Sequence, residues 1–253
     1  MDKINAAVVH LTELGHGVAQ ITMQDDEAKN TLSQKMKDEL THCFRGVSQD
    51  DKYKVVILTG YGNYFSCGGT KEELMQLQRG ELSGESIIEI MKLIVDCEIP
   101  VIAAMQGHAL GAGFVLGLYA DLMVLSRESI YTTNFMKYGF TPGAGATIIV
   151  PAKLGGILGQ EMLFTARTYR GAELEKRGIG CAVLPRKEVL PHARQLAYQM
   201  AEAPRTSLVN LKTLLSGTWR DAFDNMIEKE LASFWQTIQQ PEVTKRINAR
   251  YGQ

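Results

Sequence analysis

Two rhythms of apolar residues run along the chain. β-Branched runs at 8–11 and 18–23, split by Gly15-His16-Gly17, predict a hairpin. Asn30, Thr31 and Ser33 then offer N-cap side chains to a stretch carrying Met36, Leu40, Cys43, Phe44 and Val47 at helical spacing. Continuous apolar runs at 54–60, 100–107 and 122–126 read as strands buried on both faces of a parallel sheet. Helical spacing returns at 72–78 and 110–119. Strand, turn and helix in repetition predict an α/β fold of βαβ units. Beyond about residue 185 the strand rhythm stops, and 186–203, 205–216 and 219–238 read as helices punctuated by Pro204 and Gly217. The chain therefore divides into a core, 1–185, and a helical region, 186–253, which follows without a flexible linker and is not an independent domain. Polar, glycine-containing residues 79–87 are expected to form a mobile loop.

Composition narrows the class. The 253 residues are 45% hydrophobic and 22% charged, which suits a globular chain with a substantial core. A net charge of −1 argues against nucleic acid as a partner. No apolar run approaches the ~20 residues of a membrane span. Met1-Asp2-Lys3-Ile4-Asn5 lacks the basic-then-apolar layout of a secretory signal. Cys43, Cys67, Cys97 and Cys181 show no metal-like spacing and read as free thiols in a reducing cytoplasm. His10, His16, His42 and His192 are scattered and form no metal set. Residues 126–190 hold more Lys and Arg than Glu, either a basic patch for an acidic partner or a solvated face.

Candidate chemistry lies in two turns of similar design. One follows the strand at 54–60 and contains Phe65-Ser66-Cys67-Gly68-Gly69-Thr70 before a helix; the other, Gly107-His108-Ala109-Leu110-Gly111-Ala112-Gly113, follows the strand at 100–107. Small residues at a helix start let another group approach the backbone, whose unpaired N–H groups attract negative charge. Two such turns at the carboxyl ends of parallel strands can converge on one oxygen, and an enolate or tetrahedral oxyanion would gain most. The alternative is that both turns only allow close packing. Neither is a phosphate loop, because GxxxxGK[ST] and GxGxxG are absent.

These blocks, with 54–70, 99–121 and 131–147 around them, resemble the crotonase (enoyl-CoA hydratase/isomerase) superfamily, and the resemblance covers nearly the whole chain. It implies a crotonase-like repeated ββα core (a ββα superhelix) with a C-terminal helical region for trimerisation and pocket closure. It also implies an oxyanion hole from the N–H groups of Gly69 and Ala112, assembly as trimers or paired trimers, and no metal or organic cofactor. The two glutamates with which the family's hydratases handle water fall on Val115 and Phe135, both apolar. Without either carboxylate no group activates water, so the resemblance implies a reaction other than hydration.

Longer strings, including Thr59-Gly60-Tyr61-Gly62-Asn63-Tyr64-Phe65, Asp96-Cys97-Glu98-Ile99-Pro100 and 134–142, resemble one branch, the second hydratase-like enzyme of polyketide β-branching cassettes. That branch implies decarboxylation of a 3-methylglutaconyl thioester carried on the phosphopantetheine of an acyl carrier protein. Charge would pass to the thioester oxygen between Gly69 and Ala112, against an apolar wall at Val115 and Phe135. Some members carry a Lys, a Tyr and a His in the pocket; the matching positions here are Leu77, Glu73 and Phe234. Phe234 also shares a helical stripe with Ile227, Leu231 and Ile238 and fits a pocket wall. Lys71 is a candidate for a phosphate or carboxylate contact or a solvated lysine, His108 for a proton donor or a structural histidine, and Tyr64 and Tyr138 for pocket lining or packing. Cys67 lies beside the site with no base to activate it. An enoyl-thioester double-bond isomerase and a non-catalytic binding subunit are the competing readings.

Overall fold

The structure is a computed structural model that describes residues 6–83 and 85–251. The N-terminal pentapeptide read for a secretory layout, and Gly84 of the expected loop, lie outside the described residues. In chain order the elements are β1 (Val9–Gly15), β2 (Val18–Met23), α1 (Gln34–Gln49), β3 (Val55–Thr59), β4 (Tyr64–Ser66), α2 (Lys71–Gln78) and α3 (Glu85–Asp96). There follow β5 (Val101–Met105), β6 (His108–Leu110), α4 (Ala112–Leu118), β7 (Leu122–Ser126), β8 (Ile130–Thr132), α5 (Phe135–Tyr138), α6 (Ala146–Leu154) and α7 (Gly156–Thr165). The chain closes with β9 (Tyr169–Arg170), α8 (Gly171–Lys176), β10 (Ala182–Leu184), α9 (Arg186–Ala201), α10 (Arg205–Ile238) and α11 (Pro241–Arg250).

Two sheets organise these elements. A six-stranded sheet runs β1-β2-β3-β5-β7-β10 and a four-stranded sheet runs β4-β6-β8-β9. Pairing is parallel throughout, apart from the β1–β2 hairpin and the β8–β9 edge. The β3-β4-α2, β5-β6-α4 and β7-β8-α5 segments each place one strand in either sheet before a helix, which is the repeated ββα core expected from the resemblance. Gly15, His16 and Gly17 all take positive φ, the conformation that turns the first hairpin.

The central strands β3 and β5 of the larger sheet are buried on both faces, as their continuous apolar runs require, whereas β1 is largely exposed and β7 starts at an exposed Leu122. Val55 and Ile57 of β3 and Ile102 and Ala104 of β5 pack beneath Ala193 and Ala197 of α9. Their neighbours Val56, Leu58, Val101 and Ala103 enter the main core with Met36, Leu40 and Phe44 of α1. Phe223, Phe234, Val243 and Ile247 belong to that same core, so the C-terminal helices share it with the sheets.

Of the three offered N-cap side chains it is Ser33 that caps α1, as the sequence allowed, accepting from Met36 N at 3.3 Å. Several elements depart from the sequence reading. The stretch at 110–119 is split, because residues 108–110 pair in the second sheet before α4 starts at Ala112. Glu85–Asp96 is helical, so the expected loop at 79–87 ends earlier. The two helices expected around Gly217 form one 34-residue helix. A lone helical glycine costs about 1 kcal/mol, and tertiary anchors on either side outweigh it. Lys212 donates to Ile94 O and Ile99 O, both at 3.1 Å, and Arg220 donates to Val95 O at 2.8 Å. Helix α11 had a usable signal, Pro241 at its start and Val243 and Ile247 one turn apart. Within 126–190, Arg127, Arg167 and Arg177 pair with Glu175, Glu173 and Glu161, so three of the basic side chains are neutralised within the segment and its net basic excess is unchanged.

Candidate active site

The two glycine turns interlock. A Cβ on Gly113 would fall 2.4 Å from Ser66 O, and one on Gly68 would fall 2.7 Å from Leu110 O and 3.2 Å from Ala112 N. Gly68 also takes φ +76°, and Gly111 φ +53°. Only glycine meets both the left-handed backbone and the close approach. Asn30 fastens the first turn from below. Buried and at positive φ, it donates through its amide nitrogen to Met23 O, Tyr64 O and Phe65 O at 3.1–3.2 Å. Ser66 Oγ donates back to Asn30 O at 2.7 Å. The N–H groups of Gly69 and Ala112 donate to no acceptor among the described residues. Both residues border a cleft with about 830 Å³ of empty space, mouth included.

The opposite wall comes from helices. Thr70 caps α2 by accepting from Glu73 N at 3.1 Å, and the Glu73 carboxylate returns to Thr70 N at 3.4 Å. Leu77 follows one turn later on the cavity side. From α5, Phe135 and Tyr138 face the cavity, and Tyr138 stacks on Phe140 with centroids 6.1 Å apart. Phe140 meets Phe234 of α10 edge-on at 5.7 Å. The Phe234 ring lies against Gly143, where a Cβ would come within 2.9 Å. Glu230, one turn before Phe234, is buried and accepts from Gly145 N at 2.6 Å and Thr147 N at 2.9 Å. That carboxylate fixes the loop carrying Gly143 and Ala144 into the wall.

Six of the nine site residues expected from sequence therefore meet at one cavity: Gly69, Ala112, Leu77, Phe135, Tyr138 and Phe234. Three do not line it. Val115 is fully buried in the core, because α4 turns that position inward one turn after Ala112. Lys71 stands half-exposed at the start of α2, outside the lining. His108 packs its ring against Tyr64, centroids 5.4 Å apart, and its Nδ1 accepts from Ile130 N at 3.0 Å, a structural hydrogen bond between β6 and β8. Burial, with Arg186 and Arg170 nearby, holds its pKa below the ordinary 6.5.

Three of the lining residues that sequence reasoning missed bear on the chemistry of the site. Tyr251, just past α11, donates its hydroxyl to Gly69 O at 2.8 Å, and burial chiefly pushes its pKa up to about 12. Asn134 rests its amide oxygen where a Cβ on Gly111 would stand, 2.6 Å away. Lys37 of α1 reaches the cavity and pairs with Glu73 at 2.6 Å, the two side chains only 6% and 18% exposed. Nothing local in sequence marks Tyr251 or Asn134; Lys37 was detectable as a lysine next to Met36 on the apolar side of α1. Cys67 also lines the cavity, its thiol pushed up to about 11 by burial, so it stays protonated at neutral pH. No group of His, Cys, Asp and Glu able to hold a metal ion occurs among the described residues.

The arrangement suits negative charge forming on one oxygen at the paired turns, opposite a largely apolar wall. Phe135, the position that the resemblance assigns to the hydratases' second carboxylate, is an apolar residue of that wall.

Comparison with known proteins agrees in length and fold. The enoyl-CoA hydratase/isomerase family model matches residues 13–251. Bacillaene synthase decarboxylase PksI of Bacillus subtilis is 53% identical over 246 residues, covering 97% of this chain and 98% of that protein. Carnitinyl-CoA dehydratase of Proteus mirabilis is 30% identical over 214 residues, 83% of this chain and 80% of that one. Among solved structures, one from a dehydratase/decarboxylase couple of polyketide β-branching superposes with TM-score 0.94 at 53% identity, covering 96% of each chain. The ECH2 decarboxylase domain of CurF from Lyngbya majuscula superposes with TM-score 0.93 at 52% identity, covering 96% of this chain and 99% of that one.

Proposed function

This chain belongs to the enoyl-CoA hydratase/isomerase family, and on that premise we propose that it is a decarboxylase of polyketide β-branching. Its substrate is a 3-methylglutaconyl group held as a thioester on the phosphopantetheine arm of an acyl carrier protein. The observation that carries this reading is the pair of N–H groups at Gly69 and Ala112, in a cavity without a water-activating carboxylate at the Phe135 position. Two relatives named as decarboxylases, PksI at 53% and the ECH2 domain of CurF at 52% identity, support it.

With the thioester oxygen between the two N–H groups, the bond from the chain to the carboxylate carbon breaks. Its electron pair moves through the conjugated system onto that oxygen, and CO₂ leaves. The two donors stabilise the enolate as it forms, each worth roughly 10²–10³ in rate. A proton then adds to carbon to give a 3-methylcrotonyl-type enoyl thioester. The wall of Leu77, Phe135 and Phe234 keeps water away from the enolate.

The protein works as a homotrimer in the cytoplasm, without a metal or organic cofactor. Exposed Leu211, Leu214 and Leu215 on α10, and Ile157 and Phe164 on α7, support the assembly as apolar surface in need of cover. No helix among the described residues is long and apolar enough to cross a membrane.

Mass spectrometry of carrier protein loaded with 3-methylglutaconate tests the reaction. Loss of one CO₂ per carrier is expected with this protein and not without it. An unchanged mass with a shifted double bond would make it an isomerase, and no change in either would leave a binding subunit.

A further inference from the structure

The chemistry of the two turns makes no use of the ion pair in the cavity. Lys37 projects from the buried side of α1, and Lys37 is the only cation among the described residues that line the cavity. An ion pair taken out of water repays its desolvation poorly as a source of stability. Here it faces open space that an acyl group must enter. Lysine is a point charge on a flexible stem and can turn between acceptors. On α2 the position one turn beyond Glu73 is Leu77, and Lys71 at its start lies outside the lining, so that helix brings no cation to the cavity.

We infer that Lys37 receives the free carboxylate of the acyl substrate, with Glu73 as the positioning residue that holds its ammonium over the cavity. The inference rests on the decarboxylase reading for the substrate class. Placement supports it, because Glu73 returns to Thr70 N at 3.4 Å and Thr70 directly follows Gly69. The Glu73 end of the ion pair thus lies against the residue that follows the first oxyanion donor. Both the ion pair and the two donors border the same cavity, so one short acyl chain can meet both. Lys37 draws the carboxylate in, and Glu73 repels it once there. Departure of neutral CO₂ relieves the repulsion while the charge passes to the Gly69 and Ala112 N–H groups.

The test uses acyl groups that cannot react. Carrier protein loaded with 3-methylglutarate keeps the carboxylate but lacks the conjugation needed to lose it; carrier loaded with isovalerate is its neutral counterpart. The wild-type protein is expected to prefer the 3-methylglutaryl carrier by roughly 10- to 100-fold, the worth of a charged hydrogen bond. Lys37→Met should erase the preference while leaving isovaleryl-carrier binding unchanged, which also reports an intact pocket. Lys37→Arg should restore most of it. Glu73→Gln preserves the capping box and an acceptor that still positions the Lys37 ammonium while removing the repelling charge, and so should tighten binding of the carboxylate-bearing carrier, whereas a purely structural role predicts loosening or no change. A wild-type protein without the preference, or a preference surviving Lys37→Met, overturns the role of Lys37. Tighter binding failing to appear in Glu73→Gln overturns that of Glu73. Turnover of the 3-methylglutaconyl carrier is measured in parallel: a wild-type protein that prefers the carboxylate yet releases no CO₂ refutes the decarboxylase reading and leaves the Lys37 site standing.

Discussion

On one side of the cavity, backbone presses on backbone: Gly113 lies against Ser66, Gly68 against Leu110, and the exposed groups are N–H donors. On the other side, α2, α5, α10 and α11 present side chains, with aromatic rings stacked over a loop tied down by Glu230. The donor side leaves no room for side-chain variation, since a Cβ at Gly68 or Gly113 would collide with backbone that cannot move aside. The wall side tolerates exchange of side chains as long as the loop and the rings stay packed. An enzyme family built this way can keep one electrostatic device and change what stands opposite it. Here Leu77, Phe135 and Phe234 stand on that side.

The sharpest way to break the comparison is Ala112→Pro. Ala112 is the first residue of α4, where proline's missing N–H and fixed φ suit the helix. The fold should survive and carrier binding should persist, while kcat falls by roughly 10²–10³-fold. Unaltered kcat in steady-state decarboxylation assays would remove the donor role. A change on the wall side should do the reverse. Glu230→Ala leaves Gly145 N and Thr147 N without their acceptor, at a cost of about 1–3 kcal/mol. Thermal melting should register a lowered Tm, and KM should rise more than kcat falls, because the loop bearing Gly143 and Ala144 loosens while the N–H groups stay in place.

The smallest effect lies behind the donor side, at His108. Its folded pKa is lowered, so the unfolded chain takes up the proton first as pH falls. The neutral imidazole therefore contributes stability that is fully present above pH 6.5 and is lost as pH drops through the lowered folded value. His108→Gln keeps an acceptor for Ile130 N without a titrating ring, and should flatten the Tm against pH curve below 6.5. An unchanged acid limb would show that other groups control it.

Legibility in the sequence followed the same division. The donor side could be read because its requirements are local: a strand, a turn of small residues, then a helix, twice. The buried strands were legible for the same reason, since a sheet covered on both faces leaves an unbroken apolar run. The short strands β4, β6, β8 and β9, of two or three residues, carry too little pattern to be read. His108 and Val115 sit in motif positions yet point away from the cavity, because strand pleat and helix phase aim them elsewhere.

By itself the sequence determined the α/β repeat, the helical C-terminal region and the two turns where backbone must approach backbone. These follow from periodic burial and from the conformations glycine alone permits. Tertiary structure decided which side chains complete the cavity. Lys37 meets Glu73 across 36 residues, and Tyr251 reaches Gly69 across 182. Such pairs have no local signature, because what joins them is the packing of α1 and α11 around the turns and not any pattern along the chain.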